Sequence, residues 1–337
     1  MKKKFLLLLA TLFVCSSFAF GFSACTIPST SSSSSEDSSS QGETIERESV
    51  VSQGLTFELL ENDTYQVVRI GSCTDKELVI PNTYNGKVVT SIGDYAFAWN
   101  TRLTGVEIPD SIKSIGASAF GACSKLKNIY ITSMEAWCNI EFAYNANPLP
   151  YVDKLYLNNV LVTNLKIPDS VTTIGENAFT FYKNLTSVEL GDGVTTIGDS
   201  AFSGCANLTS VTIGENVTTI EDSAFKLCGN LTNVTFGENV TSIGESAFDG
   251  CNNLKFKEYG NAKYLGSETN AYFALIKAKD TTFSSYKIHD NTKTIAGTAF
   301  AGCGGLNSVK IPDGVTAIGE MAFTNCYALT SVGIGTG

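Results

Sequence analysis

Hydrophobic positions recur along most of the chain in a pattern that one stretch, residues 208–228, shows in full. Its apolar residues are Leu208, Val211, Ile213, Val217, Ile220, Ala224, Phe225 and Cys228. The alternation around Val211 predicts a short β-strand, and Thr218-Thr219-Ile220 predicts a second one. The following residues, Asp222-Ser223-Ala224-Phe225, predict one helical turn with Asp222 or Ser223 as its N-cap.

The same pattern returns after a constant interval. An Ala-Phe pair marks each copy, and its phenylalanines are Phe97, Phe120, Phe179, Phe202, Phe225, Phe248, Phe300 and Phe323. Neighbouring phenylalanines are 23 residues apart except after Phe120 and Phe248, where the gaps are 59 and 52 residues. This period predicts a repeat solenoid of stacked parallel β-strands, with one short helical turn per 23-residue repeat. The two long gaps predict inserted hairpin-like modules at about 132–161 and 255–283.

A cysteine follows the phenylalanine by three residues in most copies. These cysteines are Cys123, Cys205, Cys228, Cys251, Cys303 and Cys326. In one copy Ala224, Cys228 and Leu231 share a face, so the cysteine occupies a small core position. Equivalent side chains of neighbouring copies point the same way and do not meet, although their Cα atoms are close enough for a disulfide. We therefore expect buried free thiols.

The first 53 residues differ in composition from the repeats. Residues 1–24 are basic and then apolar, which is typical of an export signal. They lead into Phe22-Ser23-Ala24-Cys25, which resembles a bacterial lipobox, a motif whose cysteine (here Cys25) becomes the lipidated amino terminus. Plain cleavage near this point is the alternative, because Phe22 stands where leucine is usual. Residues 25–53 contain a serine tract and little apolar surface, so we expect a disordered tether.

The phrase VTTIGDSAFSGCANLTSV and the Leu-x-x-Val-x-Ile spacing resemble the BspA-type leucine-rich repeat of bacterial surface lipoproteins. The resemblance implies a solenoid of leucine-rich-repeat type over residues 91–337, with a continuous parallel sheet. It also implies a capping unit at 54–90, with a hairpin turning at Glu61-Asn62-Asp63. Known relatives include adhesins that bind host matrix proteins or other cells, which makes a similar role plausible for this chain.

Charge and residue chemistry argue against several function classes. The net charge is −10 and no basic run follows the export signal, which disfavours nucleic acid and adsorption to anionic lipid. His289 is the only histidine and occupies a turn position that other copies give to proline, so no nucleophile–histidine pair is expected. Cysteines separated by 23 residues lack the spacing of a zinc site. We therefore expect no catalytic residues, no cofactor and no metal.

Carboxylates recur in two columns, before the predicted helical turn and after the first strand. The first column is Asp94, Glu176, Asp199, Asp222, Glu245 and Glu320, and the second is Asp110, Asp169, Asp192, Glu215, Glu238 and Asp313. Carboxylates at such positions accept hydrogen bonds from free backbone amides. We expect capping rather than Ca²⁺ binding, because the nonapeptide Ca²⁺-binding pattern is absent.

The outward-facing residues on the first strand of each repeat form the candidate ligand face. They are Glu107, Tyr130, Lys166, Glu189, Thr212, Thr235 and Lys310. Core positions hardly change between copies, whereas these change in charge and size, as a ligand-reading surface would; an ordinary solvated sheet face is the alternative. In the first insertion Trp137, Phe142 and Tyr144 form a candidate aromatic ledge for a sugar or peptide. A small hydrophobic core over the stack is the alternative there.

These features together favour a membrane-anchored lipoprotein on the bacterial cell surface that binds an unknown protein or glycan and contacts the membrane only through its lipid. A passive stalk, or a fragment of a larger repeat protein, is the alternative, and an enzyme is the least supported reading. Leu329, Val332 and Ile334 begin another strand that no cap follows. We therefore expect either a truncated piece of a longer array or self-association through this strand.

Overall fold

The computed structural model describes residues 43–335, which form a parallel-strand solenoid of about 12 turns. The export signal, Cys25 and most of the expected tether lie outside the described residues. Within the described range, no helix has both the length and the apolar character needed to cross a membrane.

Eight strands build the amino-terminal end of the solenoid. They are β1 (Thr56–Leu59), β2 (Tyr65–Arg69), β3 (Glu77–Val79), β4 (Thr83–Tyr84), β5 (Lys87–Ile92), β6 (Gly105–Glu107), β7 (Ser114–Ile115) and β8 (Asn128–Ile131). β1 and β2 pair antiparallel, and the Leu60 N–H donates to the Thr64 carbonyl at 2.8 Å. The hairpin therefore turns where the sequence predicts it. β3, β6 and β8 pair in parallel, one strand per turn.

Each regular turn of the solenoid has a first and a second strand, and these stack in two strand columns. The first insertion contributes strands to both columns. Its elements are helix α1 (Met134–Cys138), β9 (Glu141–Phe142), a 3-10 helix (Leu149–Tyr151), β10 (Lys154–Leu157) and β11 (Val160–Leu161). The Ser133 hydroxyl caps α1 by accepting from the Ala136 N–H at 3.0 Å. β10 pairs in parallel with β8 and β9 pairs in parallel with β7, while β11 folds back antiparallel on β10.

Four uninterrupted turns follow, each with one strand in each column. In chain order these strands are β12 (Asn164–Lys166), β13 (Thr173–Ile174), β14 (Ser187–Glu189), β15 (Thr196–Ile197), β16 (Ser210–Thr212), β17 (Thr219–Ile220), β18 (Asn233–Thr235) and β19 (Ser242–Ile243). The even-numbered strands form one parallel sheet and the odd-numbered strands form the other. Val188, Val211 and Val234 are in register and all three are buried.

The second insertion is a three-stranded antiparallel meander, β20 (Lys257–Tyr259), β21 (Ala262–Leu265) and β22 (Ala274–Ala278). Regular turns then resume with β23 (Ser285–Lys287), β24 (Thr294–Ile295), β25 (Ser308–Ile311), β26 (Ala317–Ile318) and β27 (Ser331–Ile334). The Gly297 N–H donates to the Ile243 carbonyl at 2.7 Å, which is the bond that Gly244 makes to Ile220 one repeat earlier, also at 2.7 Å.

Tight turns stand where the sequence predicts a helical turn. Ser223 and Leu227 adopt left-handed backbone angles, with φ of 55° and 60°, and these interrupt any helix. Alternate backbone amides here donate to the next repeat, and those between them donate three residues back, so the four-residue spacing of an α-helix is absent from this turn. The Phe202 N–H, for example, donates to the Ala224 carbonyl at 2.8 Å. The helical turn was therefore the wrong local structure, although its apolar residues are correctly placed in the core.

Phenylalanine rings form the centre of the core. Phe179, Phe202, Phe225 and Phe248 stack with ring centroids 5.4, 5.3 and 5.5 Å apart. The repeat cysteines are free thiols, of which Cys326 is partly exposed and the other five are buried. This confirms the prediction of core thiols.

Candidate ligand-binding surfaces

The strand face of the central turns presents polar side chains in a straight row. Lys166, Glu189, Thr212 and Thr235 occupy equivalent positions on β12, β14, β16 and β18, because these strands pair in parallel without a register shift. Lys166, Glu189 and Thr212 are exposed, and Thr235 is half-buried. The row therefore lies on solvent-accessible sheet, as the sequence predicts for its outward residues.

Within this row Lys166 and Glu189 form an ion pair, with Nζ and Oε1 3.1 Å apart and both side chains well exposed. An exposed ion pair of this kind contributes about 0–1 kcal/mol. Either charge is therefore available to a ligand at little cost. The threonine hydroxyls of Thr212 and Thr235 add uncharged hydrogen-bonding groups to the same surface.

Lys310 lies on β25, beyond the second insertion, and a second lysine stands beside it. Lys287 of β23 is its register partner. The two line a cleft of about 380 Å³ together with Asp290 and Asp313. A hydrogen bond with Tyr259 raises the pKa of Lys287, which keeps the ammonium charged. Sequence reasoning missed Lys287, although subtracting one period from Lys310 points directly to it.

Glu107 and Tyr130 belong to the predicted ligand face, but they lie in another sheet, β11-β10-β8-β6-β3, and are covered. They are register partners on β6 and β8. Tyr130 is only 6% exposed, because residues 43–53, which we call the strap, lie over it. Burial, and next the Glu77 carboxylate, raise the pKa of Tyr130 to about 12. The strap belongs to the segment expected to be a disordered tether, so that expectation needs correction for residues 43–53.

The aromatic side chains of the first insertion do not form one ledge. Trp137 is 1% exposed, and its Nε1–H donates to the Ala178 carbonyl at 2.9 Å. Phe142 packs edge-on against it with ring centroids 5.4 Å apart. Tyr144, by contrast, is 88% exposed. Trp137 and Phe142 therefore contribute to the core, and Tyr144 is the one member of the predicted ledge that is well exposed.

Tyr144 nonetheless lines an aromatic cleft. The cleft has a volume of about 380 Å³, and Tyr151, Phe181 and Glu176 line it as well. Phe181 is 45% exposed and has a left-handed φ of 54°. Sequence reasoning missed Phe181. The available signal was its position two residues after a core phenylalanine, where other repeats carry residues as different as Gly204 and Leu227.

The acidic columns cap backbone amides, but between repeats rather than within one turn. The Asp199 carboxylate accepts from the Asp222 N–H at 2.9 Å, and the Asp169 carboxylate accepts from the Asp192 N–H at 3.0 Å.

His289 stacks on Tyr272 with ring centroids 4.0 Å apart. Across residues 43–335, no group of three or more His, Cys, Asp or Glu side chains is arranged to hold a metal ion.

Comparison with known proteins adds a family. A family model described as the BspA type leucine rich repeat region matches in six copies, at residues 71–147, 152–275 and 278–337. No curated protein matches the sequence. A solved leucine rich cell surface protein from Faecalibacterium prausnitzii has 28% identity and a TM-score of 0.49, with 86% of this chain and 77% of that chain covered. A leucine-rich repeat protein from Bacteroides ovatus has 24% identity and a TM-score of 0.47, with 85% and 71% covered.

Proposed function

Because the chain belongs to the BspA-type leucine-rich repeat family, we propose that it is a binding module displayed outside the bacterial cell, adhesin-like, with a protein or glycan ligand. The observation that carries this proposal is the exposed strand face of β12, β14, β16 and β18. On that face Lys166, Glu189, Thr212 and Thr235 present a charge pair and two hydroxyls in one straight row. The matching family model describes a repeat region, and the proposal assigns the chain a binding role without a catalytic one.

Rigidity favours binding over a passive stalk on this face. The side chains beneath the row, including Val188, Val211 and Val234, are buried and in register, so the row has a fixed spacing. A surface held rigid before contact loses little conformational entropy when a ligand binds. The backbone positions that carry the charges and hydroxyls of the row are consequently fixed before a ligand binds.

The experiment is a binding screen of the purified chain against extracellular matrix proteins and bacterial glycans. In a face variant, Thr212→Glu and Thr235→Glu add two charges to the row. Its matched control is Thr218→Glu with Thr241→Glu, two exposed threonines that directly precede β17 and β19 and are also one repeat apart. We expect the face variant to lose binding by about tenfold or more, while the control binds as the unchanged chain does. Equal binding by both variants would show that the row is not the binding surface, and no binding to any probe would favour the passive stalk.

We also propose that the chain is anchored by lipid at Cys25, which rests on the lipobox-like stretch that ends there. The serine-rich segment after it then acts as a spacer up to the strap. Membrane contact through acyl chains alone is consistent with the acidic net charge of −10.

A further inference from the structure

The strap crosses the parallel strands at the amino-terminal end of the solenoid. At its start it pairs with β11, since the Leu161 N–H donates to the Glu43 carbonyl at 2.9 Å and the Ile45 N–H donates to the Asn159 carbonyl at 3.0 Å. Lys154 on β10 also pairs with Glu43, with Nζ and Oε2 2.7 Å apart. These contacts fix the direction in which the strap begins to cross the sheet.

At its carboxyl end the strap is hydrogen-bonded to β3, the strand at the opposite edge of the same sheet. The Ser52 N–H donates to the Val79 carbonyl at 3.0 Å, and the Val79 N–H donates to the Ser52 hydroxyl at 3.0 Å. The sheet order is β11-β10-β8-β6-β3. The strap therefore passes over the side chains of every strand between its two ends.

Arg47 is the contact in the middle of the crossing. Its guanidinium pairs with the Glu107 carboxylate on β6 and lies 4.2 Å from the ring centroid of Tyr130 on β8. The Ser49 hydroxyl donates to the same carboxylate. The Arg47 side chain is only 11% exposed. A carboxylate next to an aromatic face is a combination that recognises guanidinium, through charge-assisted hydrogen bonds and cation–π attraction.

Because Gly105 has no side chain, the Glu77 carboxylate and the Tyr130 ring both lie directly over its backbone. A Cβ on Gly105 would come within 1.9 Å of the Glu77 carboxylate and 2.9 Å of the Tyr130 ring. The neighbouring strand carries Asn128 at the equivalent position. Glu77, Glu107 and Tyr130 thus surround a notch with two carboxylates and one aromatic ring, which we call the arginine notch.

Overall charge does not explain why the strap lies here. The strap contains Glu43, Glu46 and Glu48 against a single Arg47, and the whole chain has a net charge of −10. Long-range electrostatics therefore opposes the contact. The segment is held by its specific contacts at the two ends and at the arginine notch.

We propose that the arginine notch and the strands around it are a binding site for an extended, arginine-bearing peptide segment of a partner protein, and that the strap occupies this site until such a segment displaces it. The covered part of the ligand face is thereby kept closed by the chain itself. A partner segment would use the backbone groups of Asn159 and Val79 that now bond to the strap, and would place an arginine between Glu107 and Tyr130. The strap's own sequence supplies the chemistry of the occupant.

The test uses the full chain and a fluorescent peptide of residues 43–53. Arg47→Glu puts a carboxylate against Glu107, so the strap should leave and the peptide should bind. The unchanged chain should bind the peptide about tenfold or more weakly than this variant, since its own strap fills the site. The matched control is Arg69→Glu, which makes the same charge change at an exposed residue of β2 and should leave the strap in place.

A second peptide, with alanine in place of Arg47, tests the notch directly. It should bind the Arg47→Glu chain about tenfold or more weakly than the unchanged peptide. Hydrogen exchange at the Ile45 and Ser52 amides should become fast in Arg47→Glu and stay slow in Arg69→Glu. The proposal is overturned if these amides remain protected in Arg47→Glu, if the peptide does not bind that variant, or if the alanine peptide binds equally well.

Discussion

The repeat cysteine donates its thiol to a backbone carbonyl of the preceding repeat, which gives the recurring small residue a second role beside packing. The Sγ atoms of Cys205 and Cys228 lie 3.1 Å from the carbonyls of Phe179 and Phe202. Burial raises the pKa of the Cys205 thiol to about 12. The thiolate is the reactive form of cysteine, so these side chains are poor nucleophiles as well as inaccessible ones.

The native protein should therefore resist alkylation by iodoacetamide at pH 8 at its buried cysteines, and should react at all of them after unfolding. Cys326, which is partly exposed, provides the internal control and should react first. Peptide mass spectrometry after labelling measures each site separately. Full labelling of Cys205 or Cys228 in the native protein, or a disulfide between successive repeats, would contradict this reading.

The hydrophobic period of the repeat predicts both strands and the phenylalanine stack. It does not predict the backbone conformation of the turn that follows the second strand. Ser223 and Leu227 are not residues that signal left-handed backbone on their own. They adopt it because the turn bonds to the next repeat: the Ser223 amide donates to the Glu245 carbonyl at 2.8 Å and the Leu227 amide donates to the Asp249 carbonyl at 2.7 Å. A contact 22 residues away along the chain decides this local conformation, so local propensity could not.

Removing one ring from the phenylalanine stack should be costly. Phe225 is fully buried between Phe202 and Phe248, so Phe225→Ala should lower the free energy of unfolding by about 3–5 kcal/mol. Phe181→Ala removes the same side chain from an exposed position and should change stability by about 0.5 kcal/mol or less. Urea unfolding followed by circular dichroism provides the comparison. Similar losses for the two variants would show that the stack is not the source of stability.

The composition of the strap predicts disorder, whereas the structure shows the strap in contact with the sheet. The strap is rich in glutamate and serine and has few large apolar residues, which favours disorder. It is ordered by groups far away in sequence, above all Glu107 and Tyr130. The pattern of one segment contains no information about such partners. The sequence located the strand face correctly. It did not show that the strap covers Tyr130, because that contact also joins residues far apart in the sequence.

Cys25 is the proposed attachment point for lipid. Cys25→Ala should release the protein from the membrane fraction into the medium, or leave it as an unprocessed precursor, because the acyl attachment point is gone. Cys15→Ala changes a cysteine within the export signal and is the matched control, with no expected effect on anchoring. Cell fractionation combined with metabolic labelling by an alkyne fatty acid measures both. A Cys25→Ala protein that is still labelled and membrane-bound would disprove lipidation at this residue.

The bond between Gly297 and Ile243 has a consequence for how such a chain changes over evolutionary time. It spans the whole second insertion, yet it has the same donor, acceptor and length as the bond between Gly244 and Ile220 across a single repeat. A segment spliced in between these points leaves the downstream repeats in phase with the upstream ones. Recombination can then add, remove or exchange the meander as a cassette, and diversify the surface of the protein without redesigning the repeats on either side of it.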